Sequence, residues 1–130
     1  MTLPRPHIGE AQIRIGTSLG IAHVIGALIA HFTVPGWLEG RLGLVADPWF
    51  RRETGTVNAG FAYGLVRILR GERDATFVRS TAISGLLMAA VRTVATFRGR
   101  RKGALSAMVI ASDLVLGVGG LVLAEQFDRQ

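Results

Sequence analysis

An all-α, integral membrane four-helix bundle is the fold class this amino-acid sequence predicts, and three observations predict it. Hydrophobic residues make up 49% of the chain and charged residues 18%, where a soluble domain carries about 25% charge. The charges are not spread evenly but bunch between long apolar runs, and the mean hydropathy is +0.39. Within those runs, small and polar residues recur at helical spacing. A chain of 130 residues in this pattern reads as one membrane domain over its whole length.

The first run, about 14–34, reads RIGTSLGIAHVIGALIAHFTV and stops at Pro35-Gly36, a turn pair. It follows a basic flank but is long and lacks a small-residue cleavage pattern, so a retained first span is expected. The second, about 54–69, reads TGTVNAGFAYGLVRIL. It is short for the about 20 residues of a usual span, although flanking arginines can snorkel. The third, about 79–97, reads RSTAISGLLMAAVRTVATF, and the fourth, about 103–124, reads GALSAMVIASDLVLGVGGLVLA. Between spans one and two lies PGWLEGRLGLVADPWFRRE (35–53). Its Trp37, Trp49 and Phe50 among arginines fit a segment lying at the membrane interface, or a loop anchored by two tryptophans.

Insertion energies differ between the last two runs. In the fourth, ten Leu, Ile and Val residues at about 0.3–0.6 kcal/mol each outweigh the about 2.5–3.5 kcal/mol that one aspartate, Asp113, costs. In the third, Ile83, Leu86, Leu87, Val91, Val94 and Phe97 barely offset Arg92. That helix needs neighbours to receive its arginine.

The net charge is +6, and of the 15 basic residues all but Lys102 are arginines. Most flank the apolar runs, where loops meet lipid headgroups. The densest cluster, RGRRK (98–102), has no interleaved aromatic residues and no nucleic-acid-binding framework around it, so no nucleic-acid partner is expected. Basic residues divide evenly between the two sides, and orientation stays open; the dense 98–102 loop leans towards the cytoplasm. Cysteine is absent, which removes disulfides, thiol catalysis and zinc–sulfur sites. No phosphate loop, nucleophile elbow, H-E-x-x-H or dinucleotide fingerprint is present.

Four stripes are expected to face the bundle interior. They are Gly16, Gly20, His23, Ala27 and His31 on span one; Thr56, Gly60, Gly64 and Arg67, with Tyr63 alongside, on span two; Thr81, Gly85, Met88, Arg92 and Thr96 on span three; and Ser106, Asp113, Gly117, Gly120 and Ala124 on span four. Gly16-x-x-x-Gly20 and Gly60-x-x-x-Gly64 match the small-residue spacing that lets membrane helices approach closely.

Counting from the connection near residue 100, Arg92 and Asp113 lie at depths about 6 Å apart, within reach of an arginine side chain. Two readings of Asp113 follow. It is the counter-ion that lets Arg92 enter the membrane, or it belongs to a functional site, since ionisable groups inside a span are candidates by default. His23 near mid-depth adds an acid–base partner, so Asp113, His23 and Arg92 are the candidate catalytic residues. His23 also suits a plain hydrogen-bonded packing role. Asn58 and Tyr63 near the centre of span two, and Glu53 near its start, are the candidate ligand-binding residues; Glu53 and His31 should share one membrane boundary. His23, His31, Glu53 and Asp113 lack compact ligand spacing, so no metal site is expected, and no cofactor is implied.

RIGTSLG (14–20), RRETGTVNAGFAYG (51–64) and DLVLG (113–117), set in a four-span rhythm over residues 14–124, resemble the small bacterial DoxX-like membrane proteins. In that family a comparable Asp-Leu-rich string opens the second span, whereas here it lies in the fourth, so no functional residue carries over. The resemblance implies a four-helix membrane bundle with membrane-associated redox or unassigned roles. The abundance of Arg over Lys, and of Ala and Gly, is compatible with a GC-rich bacterial genome and so with a bacterial inner membrane.

Three functional classes fit these residues. One is a membrane protein that binds an apolar or amphipathic small molecule between its helices, with acid–base chemistry at Asp113, His23 and Arg92. Another is a non-catalytic subunit or assembly factor whose glycine stripes face a membrane-protein partner or a second copy. The third is a small oligomeric proton-coupled transporter, which the lack of an acid in span one disfavours.

Overall fold

A computed structural model describes residues 7–34, 37–38, 48–99 and 103–130. Four long helices carry these residues: α1 (Glu10–Thr33), α2 (Pro48–Leu69), α3 (Ala75–Phe97) and α4 (Ala104–Phe127). The all-α expectation holds, and among the described residues there is no strand. By length and composition α1, α3 and α4 are long and apolar enough to cross a membrane. The second expected span, α2, is not in that set; its first turns carry Arg51, Arg52 and Glu53, and Asn58 and Arg67 follow.

Three helices begin about one turn earlier than the apolar runs. α1 starts at Glu10, where the Gln12 side chain accepts the Gly9 N–H at 2.8 Å. In α3, Asp74 caps the helix by accepting the Phe77 N–H at 2.8 Å, a standard aspartate cap. Helix α2 opens at Pro48, so residues 48–53 of the expected interfacial segment are its first turns. Trp37 and Leu38 are helical too, while 35–36 and 39–47, including the Pro35-Gly36 turn, lie outside the described residues. At its far end α2 stops at Gly71, whose φ of 105° is left-handed. There Glu72 N–H reaches back to Arg67 O and Gly71 N–H to Ile68 O, the paired bonds of a Schellman ending.

The helices pack as two antiparallel hairpins, α1 with α2 and α3 with α4, and α1 touches α4 lightly. At one end, the core end, Ile13, Ile68, Val78, Ala124 and Phe127 of all four helices meet in a single apolar cluster. Gln126 tightens it by bonding both the Ile8 N–H (2.8 Å) and the Ile8 carbonyl (2.9 Å). Within the α3–α4 pair the backbones come close. A Cβ on Gly117 would stand 2.7 Å from Leu86 Cγ and 3.2 Å from Ala82 O, and one on Gly120 2.9 Å from Ala82 Cβ. Small residues thus let the two helix backbones approach closely.

The stripe on α4 is buried as expected, at Ser106, Asp113, Gly117 and Ala124. Those on α1, α2 and α3 need correction. On α1, Gly20 packs against Leu65 but Gly16 has open space. On α2, Gly64 packs under Phe77 as expected, but Thr56, Gly60, Tyr63 and Arg67 are exposed; the inward face carries Arg51, Gly55, Leu65 and Ile68, with Gly55 under His31. On α3 the buried line is Val78, Ala82 and Ala89, while Met88 and Thr96 are exposed. The physical reason is shape. Position on a helix pair is decided by which residue fits under the opposing side chain, and polarity alone does not reveal that.

Candidate functional site

Asp113 is the centre of the site. Set in the middle of α4 and only 2% exposed, it receives Arg92 of α3 on Oδ2 and His23 of α1 on Oδ1, the latter at 3.1 Å. One carboxylate therefore joins three helices. Its two neighbours are more open, with side chains 20% (Arg92) and 27% (His23) exposed.

Helix geometry explains the ion pair. Gly85 faces the backbone of Asp113 across the α3–α4 pair, so Arg92 lies two turns away, about 10.5 Å along the axis. Side chains on a helix lean towards its N-terminus. In an antiparallel pair this tilts Arg92 back and Asp113 forward, and the two charged groups meet between their levels. The larger separation than the sequence count implies is covered by this opposed tilt.

His23 arrives from the other hairpin. Three residues beyond the Gly20–Leu65 contact, it leaves the α1–α2 seam and turns to α4. Its second nitrogen, Nδ1, lies 3.5 Å from the Ser112 hydroxyl, which donates to Val109 O at 2.9 Å. When the ring is neutral and donates from Nε2 to Asp113, Nδ1 is left as an acceptor. Ser112, His23 and Asp113 thus stand side by side in the order of a nucleophile–base–orienter relay, but the single Ser112 hydroxyl proton goes to Val109 O and not to Nδ1. Ser112 lies mid-helix, however, where backbone N–H groups are committed to the helix. A preorganised pair of donors for an oxyanion is not formed there, which favours proton handling over acyl transfer. In the sequence Ser112 is legible as the neighbour of Asp113, but its partner on α1 is not.

The expected ligand-binding residues do not join this centre. Asn58 Nδ2 donates to Gly55 O within its own helix at 3.1 Å. Tyr63 is exposed beside Arg67, and Glu53 is exposed at the start of α2. No described hydrogen bond or ion pair links any of the three to His23, Asp113 or Arg92. His31 does lie at the α2 start: its carbonyl accepts from Arg51 Nε at 3.1 Å, and its Nδ1 is 2.7 Å from Ala27 O. Among the described residues no group of three His, Asp or Glu side chains is placed to hold a metal ion.

Fold and centre define an all-α protein with three membrane-length apolar helices joined by one buried carboxylate. The chain matches no protein-family model, no curated protein and no solved structure.

Proposed function

We propose that the chain is an integral four-helix membrane protein that binds an apolar or amphipathic small molecule beside His23 and exchanges a proton with it there. In this reading α2 is a short fourth span whose first turns lie at headgroup level, and the membrane is a bacterial inner membrane. One observation carries the site: both oxygens of Asp113 are taken by Arg92 and His23, so the carboxylate is closed and the imidazole is the member with an open edge. His23 gives or takes the proton. Asp113 orients its ring and balances the charge of the imidazolium, and Arg92 neutralises Asp113. A base of this kind acts across a hydrogen bond of about 2.6–3.2 Å, so the ligand's polar end must reach His23 while its apolar body lies along the flanking helices.

The test is native mass spectrometry of the protein extracted gently from its own membranes, alongside His23→Gln. A small molecule bound to the wild type and lost from a folded His23→Gln supports the reading. A molecule retained by His23→Gln, or none in the wild type, sinks it.

A second reading, a subunit or assembly factor, draws on a different observation. Gly16, Gly26, Gly60 and Gly119 have nothing within 4 Å of where a Cβ would stand, as small residues facing a partner helix would. For that role Gly60→Leu abolishes co-purification of a partner, while Asp113→Asn leaves it intact.

A further inference from the structure

The two ends of the bundle differ in charge. By sequence, residues 1–14, 67–79 and 125–130 at the core end carry seven basic residues against five acidic ones. There the structure spends the acids on the arginines: Arg67 pairs with Glu72, Arg73 with Glu10, Arg79 with Asp128 and Arg129 with Glu125. Arg14 and Arg70 have no such partner among the described residues. At the opposite end, residues 34–53 and 98–103 carry seven basic residues against three acidic ones. Among the described residues no carboxylate pairs with Arg52 or Arg98.

Arg52 is the informative one. Its guanidinium lies over the Trp49 ring, 5.1 Å from the centroid, and its Nε is buried with no hydrogen-bond acceptor. A buried donor left unsatisfied costs about 1–3 kcal/mol, which a small turn of this long side chain towards an oxygen ligand would recover. Trp49 and Phe50 beside it are 70% and 64% exposed, large aromatic surfaces of the sort that settle at the headgroup level of a bilayer. A stacked aromatic, an unsatisfied guanidinium donor and an excess of positive charge by sequence together fit a phosphate on a lipid.

We propose that Arg52, stacked on Trp49 at the start of α2, holds the phosphate of an anionic phospholipid, so that this end of the bundle sits in the more negatively charged leaflet. The proposal rests on the membrane reading above and is independent of the His23 centre.

The test uses the full chain in neutral detergent, titrated with short-chain phosphatidylglycerol or phosphatidylcholine and read by native mass spectrometry. One basic side chain near an anionic surface contributes about 1 kcal/mol, roughly a fivefold preference. The wild type should therefore favour phosphatidylglycerol about fivefold. Arg52→Gln and Trp49→Ala should bring the preference close to one, Arg52→Lys should keep part of it, and Arg79→Gln at the core end should leave it unchanged. Equal binding of the two lipids by the wild type overturns the proposal, as does an equal loss in Arg52→Gln and Arg79→Gln. Displacement of the lipid by millimolar inorganic phosphate also overturns it, making the site one for a free anion. Should carbonate washing release the chain from native membranes, the membrane reading itself fails, an outcome distinct from equal lipid binding by a chain that stays embedded.

Discussion

Removing either partner of the Arg92–Asp113 pair should destabilise the protein more than removing both. In Asp113→Leu the Arg92 side chain, 20% exposed, loses the buried carboxylate that receives it. Breaking a buried pair from one side costs about 3–5 kcal/mol, and an arginine at the centre of a span costs about 2.5–3.5 kcal/mol on the insertion scale. The two figures agree on about 3 kcal/mol. Arg92→Met exposes the opposite defect, a carboxylate 2% exposed with only the His23 hydrogen bond left, and should cost about the same. In the double variant neither charge remains, and replacing a buried pair by apolar groups is often neutral or stabilising. Its stability should return to within about 1 kcal/mol of the wild type, less what His23 loses with its acceptor, about 0.5–1.5 kcal/mol.

Reversible unfolding in mixed micelles of neutral detergent and dodecyl sulfate, followed by tryptophan fluorescence, measures all four proteins. A coupling energy of about 3 kcal/mol or more is expected from the cycle. If the double variant is as unstable as the two single losses added together, the pair is not a pair, and its role as the joint between α3 and α4 is refuted. Because the double variant should fold, it also separates structure from function: a stable bundle that no longer holds a ligand makes the polar centre a site.

Three other outcomes follow from the packing and the surface charges. Gly117→Ala places a methyl against Leu86 and the Ala82 carbonyl and should cost about 1–3 kcal/mol in the same unfolding assay, whereas Gly16→Ala, set in open space, should be neutral or stabilise by up to about 1 kcal/mol; equal effects would contradict the described seam. Phe127→Ala at the core end should cost about 3–5 kcal/mol, and a loss under 1 kcal/mol would mean that the four helices do not meet there. Arg79→Gln removes an exposed ion pair with Asp128 and should leave the unfolding midpoint nearly unchanged, with any small difference erased by salt.

How far the sequence reached can be read at particular residues. The apolar runs marked where the helices lie because a membrane-length helix needs a long apolar stretch, but they missed the polar first turns. Asp74, five residues ahead of Arg79, and Gln12 mark helix starts that hydropathy does not register. The Arg92–Asp113 pair was legible because both residues belong to one hairpin, where depth follows from counting residues to the turn. The approach of His23 was not legible as a contact, since it depends on how the α1–α2 hairpin lies against α4, which no local spacing encodes. Tyr63 and Gly60 misled because a polar or small residue on a membrane helix fits an interior seam and an outer contact equally well. Gly55 and Leu65 gave no signal by type; their burial comes from His31 and Gly20 opposite them.

The placing of His23 has a consequence for how the bundle can move. At the core end the two hairpins are held by an apolar cluster drawn from all four helices, and at mid-depth the described polar link between α1 and α4 is His23 with Ser112 and Asp113. Arg92 and the α3–α4 seam keep Asp113 in place whatever His23 does, since Gly117 and Gly120 lock that hairpin by contact. The His23–Asp113 bond can therefore open without unpacking either hairpin, at the cost of one hydrogen bond, about 0.5–1.5 kcal/mol, or about 1.5–3 kcal/mol if the imidazole is charged. The ligand proposed above, in competing for the His23 ring, needs only to supply that much. Cross-linking across α1 and α4 tests this: joining Ala27→Cys to Val109→Cys with a flexible bifunctional maleimide should leave folding intact and slow exchange of the proposed ligand, and unchanged exchange would mean that the ligand enters elsewhere.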